Sequence, residues 1–182
     1  MRNRQNHFLF RGFAGALALL VAAAFAAETR DPETHFFDQS FGDLREEAQI
    51  VRDEGKQAIM VMFESEDCPW CEKMKKTVLN QSDVQDYYRA HFRNLSLFID
   101  SDNPLTDFSG KETTEKDFSF KQHRVRATPV FGFFDQNGKM VVRYTGVTRN
   151  RQDFLALGEY VADGHYKKMK FRPWLKQHKG KR

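Results

Sequence analysis

Residues 57–63, QAIMVMF, are a short, mostly apolar run that gives way within a few positions to a segment with a sharply divided face. A run of that length and composition has the form of a buried β-strand. From Pro69 onward, Met74, Val78 and Leu79 recur among Lys73, Lys75 and Lys76 at helical spacing, which predicts an amphipathic helix. Proline suits the first helical position, because the N–H it lacks has no intrahelical partner there. Both cysteines of the chain, in the run Cys68-Pro69-Trp70-Cys71, therefore fall where a strand hands over to a helix.

The first residues carry a different signal. Arg2, Arg4 and Arg11 precede an apolar stretch over 12–27, which ends in the small-residue pattern Ala24-Phe25-Ala26. The stretch falls short of the roughly 18–20 residues needed to span a bilayer, so 1–26 reads as an export signal cleaved after Ala26. The competing reading is an uncleaved membrane anchor, which leaves the same domain outside the cytoplasm. Without this segment the chain is close to neutral, with an acidic body and a basic tail, since residues 165–182 hold eight Lys or Arg and no acid. The remainder is an ordinary size for one domain, with no internal repeat. It divides into a domain over 27–164, with a polar insertion at about 101–118, and the tail at 165–182.

An exported chain meets an oxidising compartment, where disulfides persist. A structural staple is a weak reading of the cysteine pair, because closing a four-residue ring stabilises a fold by only about 2 kcal/mol. A metal site is weaker still: zinc sites usually need four ligands, and His35, His91, His123, His165 and His178 are scattered singly, none in a second paired spacing. Glu72 after Cys71 excludes the c-type haem attachment pattern. A redox pair is favoured over both. In that reading Cys68, at the N-cap, sits over unpaired N–H groups and the positive end of the helix dipole, which stabilise a thiolate, while Cys71 faces the helix body. The surrounding Glu64, Glu66, Asp67 and Glu72 oppose that effect and Lys73, Lys75 and Lys76 assist it, so sequence leaves the balance open; the plainer reading of these charges is a solvated helix rim.

The order of elements extends the pattern. A helix in FGDLREEAQIVRDEG precedes QAIMVMF and the CPWC helix. Then come a helix near VQDYYRAHF, strand NLSLFID, a helix near EKDFSFKQHRV, ATPVFGFFD, an Asn137-Gly138 turn, KMVVRYTG and a last helix RQDFLALGEYVADG. Asn-Gly between apolar runs is a strong hairpin signal. Over roughly residues 38–163 the chain resembles the thioredoxin superfamily, on the strength of CPWC and of Thr128-Pro129 opening a hairpin. The resemblance implies an α/β thioredoxin-like fold, a central mixed β-sheet flanked by helices on both faces. It implies Cys68 as attacking and Cys71 as resolving catalytic cysteine, with Pro69 in a supporting place. It also implies a cis peptide at Pro129, with Thr128 offering its backbone to an extended substrate and Trp70 an exposed apolar contact. Taken without the resemblance, Pro129 reads as a trans proline beginning a strand, and Trp70 also fits as a ring folded onto the domain. The family's buried acid six residues before the first cysteine is replaced here by Met62, with Glu64 on the same strand face as an imperfect substitute. The signal, the insertion and the ending look most like exported thioredoxins of the SoxW type.

The expected activity is reduction of envelope protein disulfides by the dithiol, with a periplasmic or otherwise exported location. A disulfide-forming oxidase and a non-catalytic binding module of the same fold are the alternatives. No Gly-rich dinucleotide fingerprint or flavin motif occurs, so no cofactor or metal is expected beyond the cysteine pair. Electrons must then come from a partner, which the resemblance implies to be a membrane thiol transporter. Nucleic acid is not an expected partner. The basic tail could hold the domain near anionic lipid or an acidic partner; the reading preferred over that is a solvated end with Phe171 and Trp174 docked on the body.

Overall fold

The computed structural model describes residues 28–180; the proposed export signal and the tail residues Lys181 and Arg182 lie outside them. The sheet has four strands: β1 (Ala58–Glu64), β2 (Phe92–Phe98), β5 (Val130–Phe134) and β6 (Met140–Thr145). Their order is β2-β1-β5-β6, with β1 parallel to β2 and every other neighbouring pair antiparallel. This is the mixed thioredoxin-like sheet expected. All seven residues of β1 are buried, because β1 is central and both faces are covered, which is why its sequence is a continuous apolar run rather than an alternation.

The alternation is still present in where the side chains go. Met60 and Met62 enter one core with Tyr88, Phe131 and Leu157, beneath α3 (Pro69–Met74, continued by a π-helical turn at Lys75–Leu79), α4 (Ser82–His91) and α6 (Arg151–Ala162). Ile59, Val61 and Phe63 enter the other with Leu44, Val51 and Phe118, beneath α2 (Leu44–Asp53) and the short helix α5 (Glu115–Asp117), which runs on as a π turn to Gln122. Side-chain caps mark the start of three of these helices. Asp43 caps α2, Thr114 caps α5 and Asn150 caps α6, each side chain accepting a backbone N–H from the first turn.

Three segments add structure that the sequence reading did not specify. The insertion, read as a surface loop, contains an antiparallel hairpin of β3 (Pro104–Thr106) and β4 (Glu112–Thr114). Leu105 is buried in the second core, and the Asp107 carboxylate closes the turn, accepting from Ser109, Lys111 and Gln122. Burial pushes that carboxyl up, but these hydrogen bonds outweigh it and bring it down to about 2. Secondly, residues 28–37 are ordered by a bridge between Thr29 and Gln81 and by the short α1 (Pro32–His35), after which Phe36 and Phe37 are buried. Thirdly, Phe171 and Trp174 dock on the body as expected, but they do so from a helix, α7 (Phe171–Lys179), with Trp174 buried against α6 and stacked on His178. No helix of the described residues is long and apolar enough to cross a membrane.

The Asn137-Gly138 turn closes the β5–β6 hairpin. Gly138 has φ +77°, and a Cβ there would lie 2.4 Å from the Phe108 side chain. Gly138→Ala is therefore expected to cost about 2 kcal/mol through overpacking and backbone strain, read as a lower urea midpoint at unchanged slope; an unshifted midpoint would show that Phe108 yields freely.

Candidate active site

Strand register brings the two sequence markers together. Phe63 of β1 pairs with Val130 of β5, so residues 65–68 and 128–129 emerge at the same end of the sheet. Ser65 and Thr128 hydroxyls meet there at 3.2 Å. The Thr128-Pro129 bond is cis, Pro129 is buried, and its carbonyl accepts from Gly146 N–H at 2.9 Å, tying it to the loop after β6.

Cys68 and Cys71 form a disulfide, with Cα atoms 5.2 Å apart. Cys68 is the N-cap of α3 and Pro69 opens the helix. The Cys71 N–H donates to Cys68 Sγ at 3.1 Å, so the first sulfur already accepts from the helix start. Cys71 is 1 % exposed against 6 % for Cys68, because the helix turns its inner face into the core of Met62, Met74 and Phe131. Trp70, between them, is 55 % exposed, with Lys73 Nζ 5.2 Å above its ring.

The charges around the pair divide into two sets. Glu66, Asp67, Glu72, Lys73 and Lys76 are exposed, and the hydrogen bond from Lys76 holds the Glu72 carboxyl below its ordinary range; this is the solvated rim. Glu64 and Lys75 are not part of it. The Glu64 side chain is 4 % exposed and the Lys75 side chain 13 %, with Nζ 2.9 Å from Glu64 and 2.8 Å from Glu33. Ser96 Oγ donates to the same Glu64 carboxylate. Burial pulls the Lys75 ammonium down, yet the bonds to Glu33 and Glu64 outweigh it and hold it above its ordinary value. Glu64 shares a strand face with Met62, as its spacing implies, but its carboxylate is engaged by Lys75 and Ser96, and no hydrogen bond joins it to either cysteine.

Sequence reasoning did not find the Ser65–Thr128 contact or the Ser96 donor. Both depend on strand register, Ser96 lying opposite Met62, and neither leaves a local pattern. Lys75 did leave one: it stands four residues after Cys71, on the same helix face. Among the described residues no group of three or more His, Cys, Asp or Glu side chains is placed to hold a metal.

Comparison with known proteins gives one family and one fold. The family described as "Thioredoxin-like domain" matches residues 44–162, more than half of the chain. Comparison with curated proteins found no significant match. Among solved structures, a thioredoxin from Thermus thermophilus is 26 % identical, with TM-score 0.54 over 70 % of this chain and 87 % of that one. A thioredoxin-fold protein from Helicobacter pylori is 23 % identical, with TM-score 0.55 over 68 % and 82 %. A DsbH oxidoreductase is 16 % identical, with TM-score 0.54 over 71 % and 88 %.

Proposed function

The chain belongs to the thioredoxin-like domain family, and on that premise we propose that it is a thiol–disulfide oxidoreductase, acting as an exported reductant of envelope protein disulfides. The observation that carries this reading is the asymmetry of the pair: Cys68 Sγ accepts the Cys71 N–H at a helix start while Cys71 lies behind it in the core. A staple needs no such difference between its sulfurs. Similarity in sequence and fold to the Thermus thermophilus thioredoxin supports the same activity.

In the reduced protein the Cys68 thiolate, favoured by the helix start, attacks one sulfur of a substrate disulfide. An S–S bond forms between Cys68 and substrate, and the substrate's other sulfur departs as a thiolate and takes up a proton. Cys71, once deprotonated, then attacks Cys68 Sγ, releases the second substrate thiolate and leaves the Cys68–Cys71 disulfide. Two electrons have passed to the substrate. Restoring the dithiol needs an external dithiol donor, and with an export signal in the sequence a membrane thiol transporter is the partner that fits. Trp70 supplies the apolar contact beside the pair, and the Thr128 backbone an edge for an extended substrate segment.

Two measurements test the proposal. The protein should accelerate insulin reduction by dithiothreitol, and a rate no higher than dithiothreitol alone would remove the catalytic reading. Its reduction potential should fall around −200 to −270 mV, where thioredoxins and glutaredoxins lie, rather than near −120 mV as for a dedicated oxidant. Each 30 mV corresponds to about 1.4 kcal/mol for a two-electron couple, so equilibration against glutathione or dithiothreitol separates the two cases. A potential near −120 mV would reverse the proposed direction of electron flow.

A further inference from the structure

Three tail cations, Arg172, Lys176 and Lys179, line the far wall of a trough whose near end reaches Lys73, two residues from Cys71. Its near part, a cavity of about 370 Å³, lies between α3 and the loop before α6 and is lined by Lys73, Arg149 and Arg151. Its far part, about 620 Å³, lies between that loop and α7 and is lined by Arg149, Arg172, Lys176 and Lys179. Val147 and Arg149, in that loop, border both, so the two adjoin across it. Half-buried Tyr144, Val147, Phe171 and Leu175 give the far part an apolar floor.

Charge along this path is one-sided. Among the described residues its only acidic lining side chain is Asp153, buried and ion-paired with Lys179, and Arg151 is answered from outside by Asp83 at 3.5 Å. Lys73, Arg149, Arg172 and Lys176 have no ion pair among the described residues and are exposed. The trough starts at Lys73, two residues from Cys71 and over the exposed Trp70 ring. A chain whose cysteine is joined to Cys68 can therefore continue into it.

We propose that this trough is a specificity site for an acidic polypeptide segment flanking the target cysteine of a substrate protein. The inference rests on the oxidoreductase reading and adds a substrate class to it. Concavity and the apolar floor fit a chain with mixed acidic and apolar side chains; a lipid surface is met by cations projecting from a convex or flat face. Four unanswered cations in line raise encounter rate and affinity for such a segment, and salt screens them.

The test uses the full chain and two mixed-disulfide peptides that differ only in carrying three Glu or three Gln on each side of the cysteine. At low salt kcat/KM for the Glu peptide should exceed that for the Gln peptide by about tenfold, as several exposed pairs of modest strength would give. The ratio should fall toward one at about 0.5 M NaCl, and in the double variant Arg149→Gln/Lys176→Gln, both exposed positions. Binding of the same peptides with Ser in place of Cys, followed by fluorescence anisotropy, should show the same preference. Equal rates and equal binding for both peptides overturn the trough while leaving the oxidoreductase reading intact. If neither peptide is reduced, that reading falls, and the Ser peptides alone decide the trough: about tenfold tighter binding of the Glu form supports it, and equal binding overturns it. Equal peptide binding together with attachment to phosphatidylglycerol vesicles that the double variant abolishes overturns it in favour of a lipid contact.

Discussion

Cys71→Ala should turn a catalyst into a trap. With Cys68 left at the helix start, attack on a substrate disulfide proceeds, but the mixed disulfide has no neighbouring thiol to resolve it. Intramolecular groups held in place act at effective molarities on the order of 10⁵ M or more, against millimolar external thiol, so release should slow by at least about 10³-fold. A stable covalent adduct with insulin or a cysteine peptide should accumulate on a non-reducing gel, and mass spectrometry should place it on Cys68. Cys68→Ala should accumulate none, because Cys71, 1 % exposed and turned into the core, is neither reachable nor served by the helix start. Adduct formed equally by both variants would end the assignment of attacking and resolving roles. Loss of turnover in both variants is expected on either view; only the difference in trapping discriminates.

The parts of this site legible in sequence are those set by neighbours along the chain. The QAIMVMF run announces a strand covered on both faces, because only such a strand dispenses with a polar alternation, and Pro69 announces where the next helix begins, which places Cys68 at its N-cap. The hairpin in the insertion was not legible. Its strands are three residues long, too short for alternation to register, and what holds them is a single inward side chain, Leu105, and a carboxylate, Asp107, that collects donors from Ser109, Lys111 and the more distant Gln122. The C-terminal helix is a different case. Phe171, Trp174, Leu175 and His178 carry a helical period, but the eight Lys and Arg of residues 165–182 give the tail the composition of a solvated end. Composition describes the outer face of that helix and says nothing of its inner one. Contacts such as Ser65–Thr128 and Ser96–Glu64 follow from register between distant strands, which no local pattern records.

Replacing Lys75 by Met should produce the largest loss of stability away from the cysteines. The Glu64 carboxylate is almost wholly buried, and its charge is balanced at 2.9 Å by Lys75 Nζ, with the Ser96 hydroxyl as its other donor. Removing one partner of a buried pair leaves an uncompensated charge, at a cost of about 3–5 kcal/mol; the exposed side of the network, Glu33, puts the expectation near the lower end, about 3 kcal/mol. A surface pair such as Glu72–Lys76, by contrast, contributes well under about 1 kcal/mol. The double variant Glu64→Gln/Lys75→Met should recover most of the loss, because it removes the charge along with its partner. The pH dependence has a definite sign. Lys75 is held above its ordinary 10.5 in the folded protein, so the stability it contributes is fully present below that value and is lost as pH rises through the higher folded one. Urea midpoints of the unsubstituted protein should therefore decline above about pH 10.5 more steeply than those of Lys75→Met. The function at stake is local: Lys75 N–H bonds the Cys71 carbonyl, so the pair that anchors this turn to β1 also fixes the helix bearing the resolving sulfur. A single Lys75→Met variant as stable as the unsubstituted protein would show that the Glu64 charge is satisfied without Lys75, and would remove this network from the account of how the dithiol helix is held.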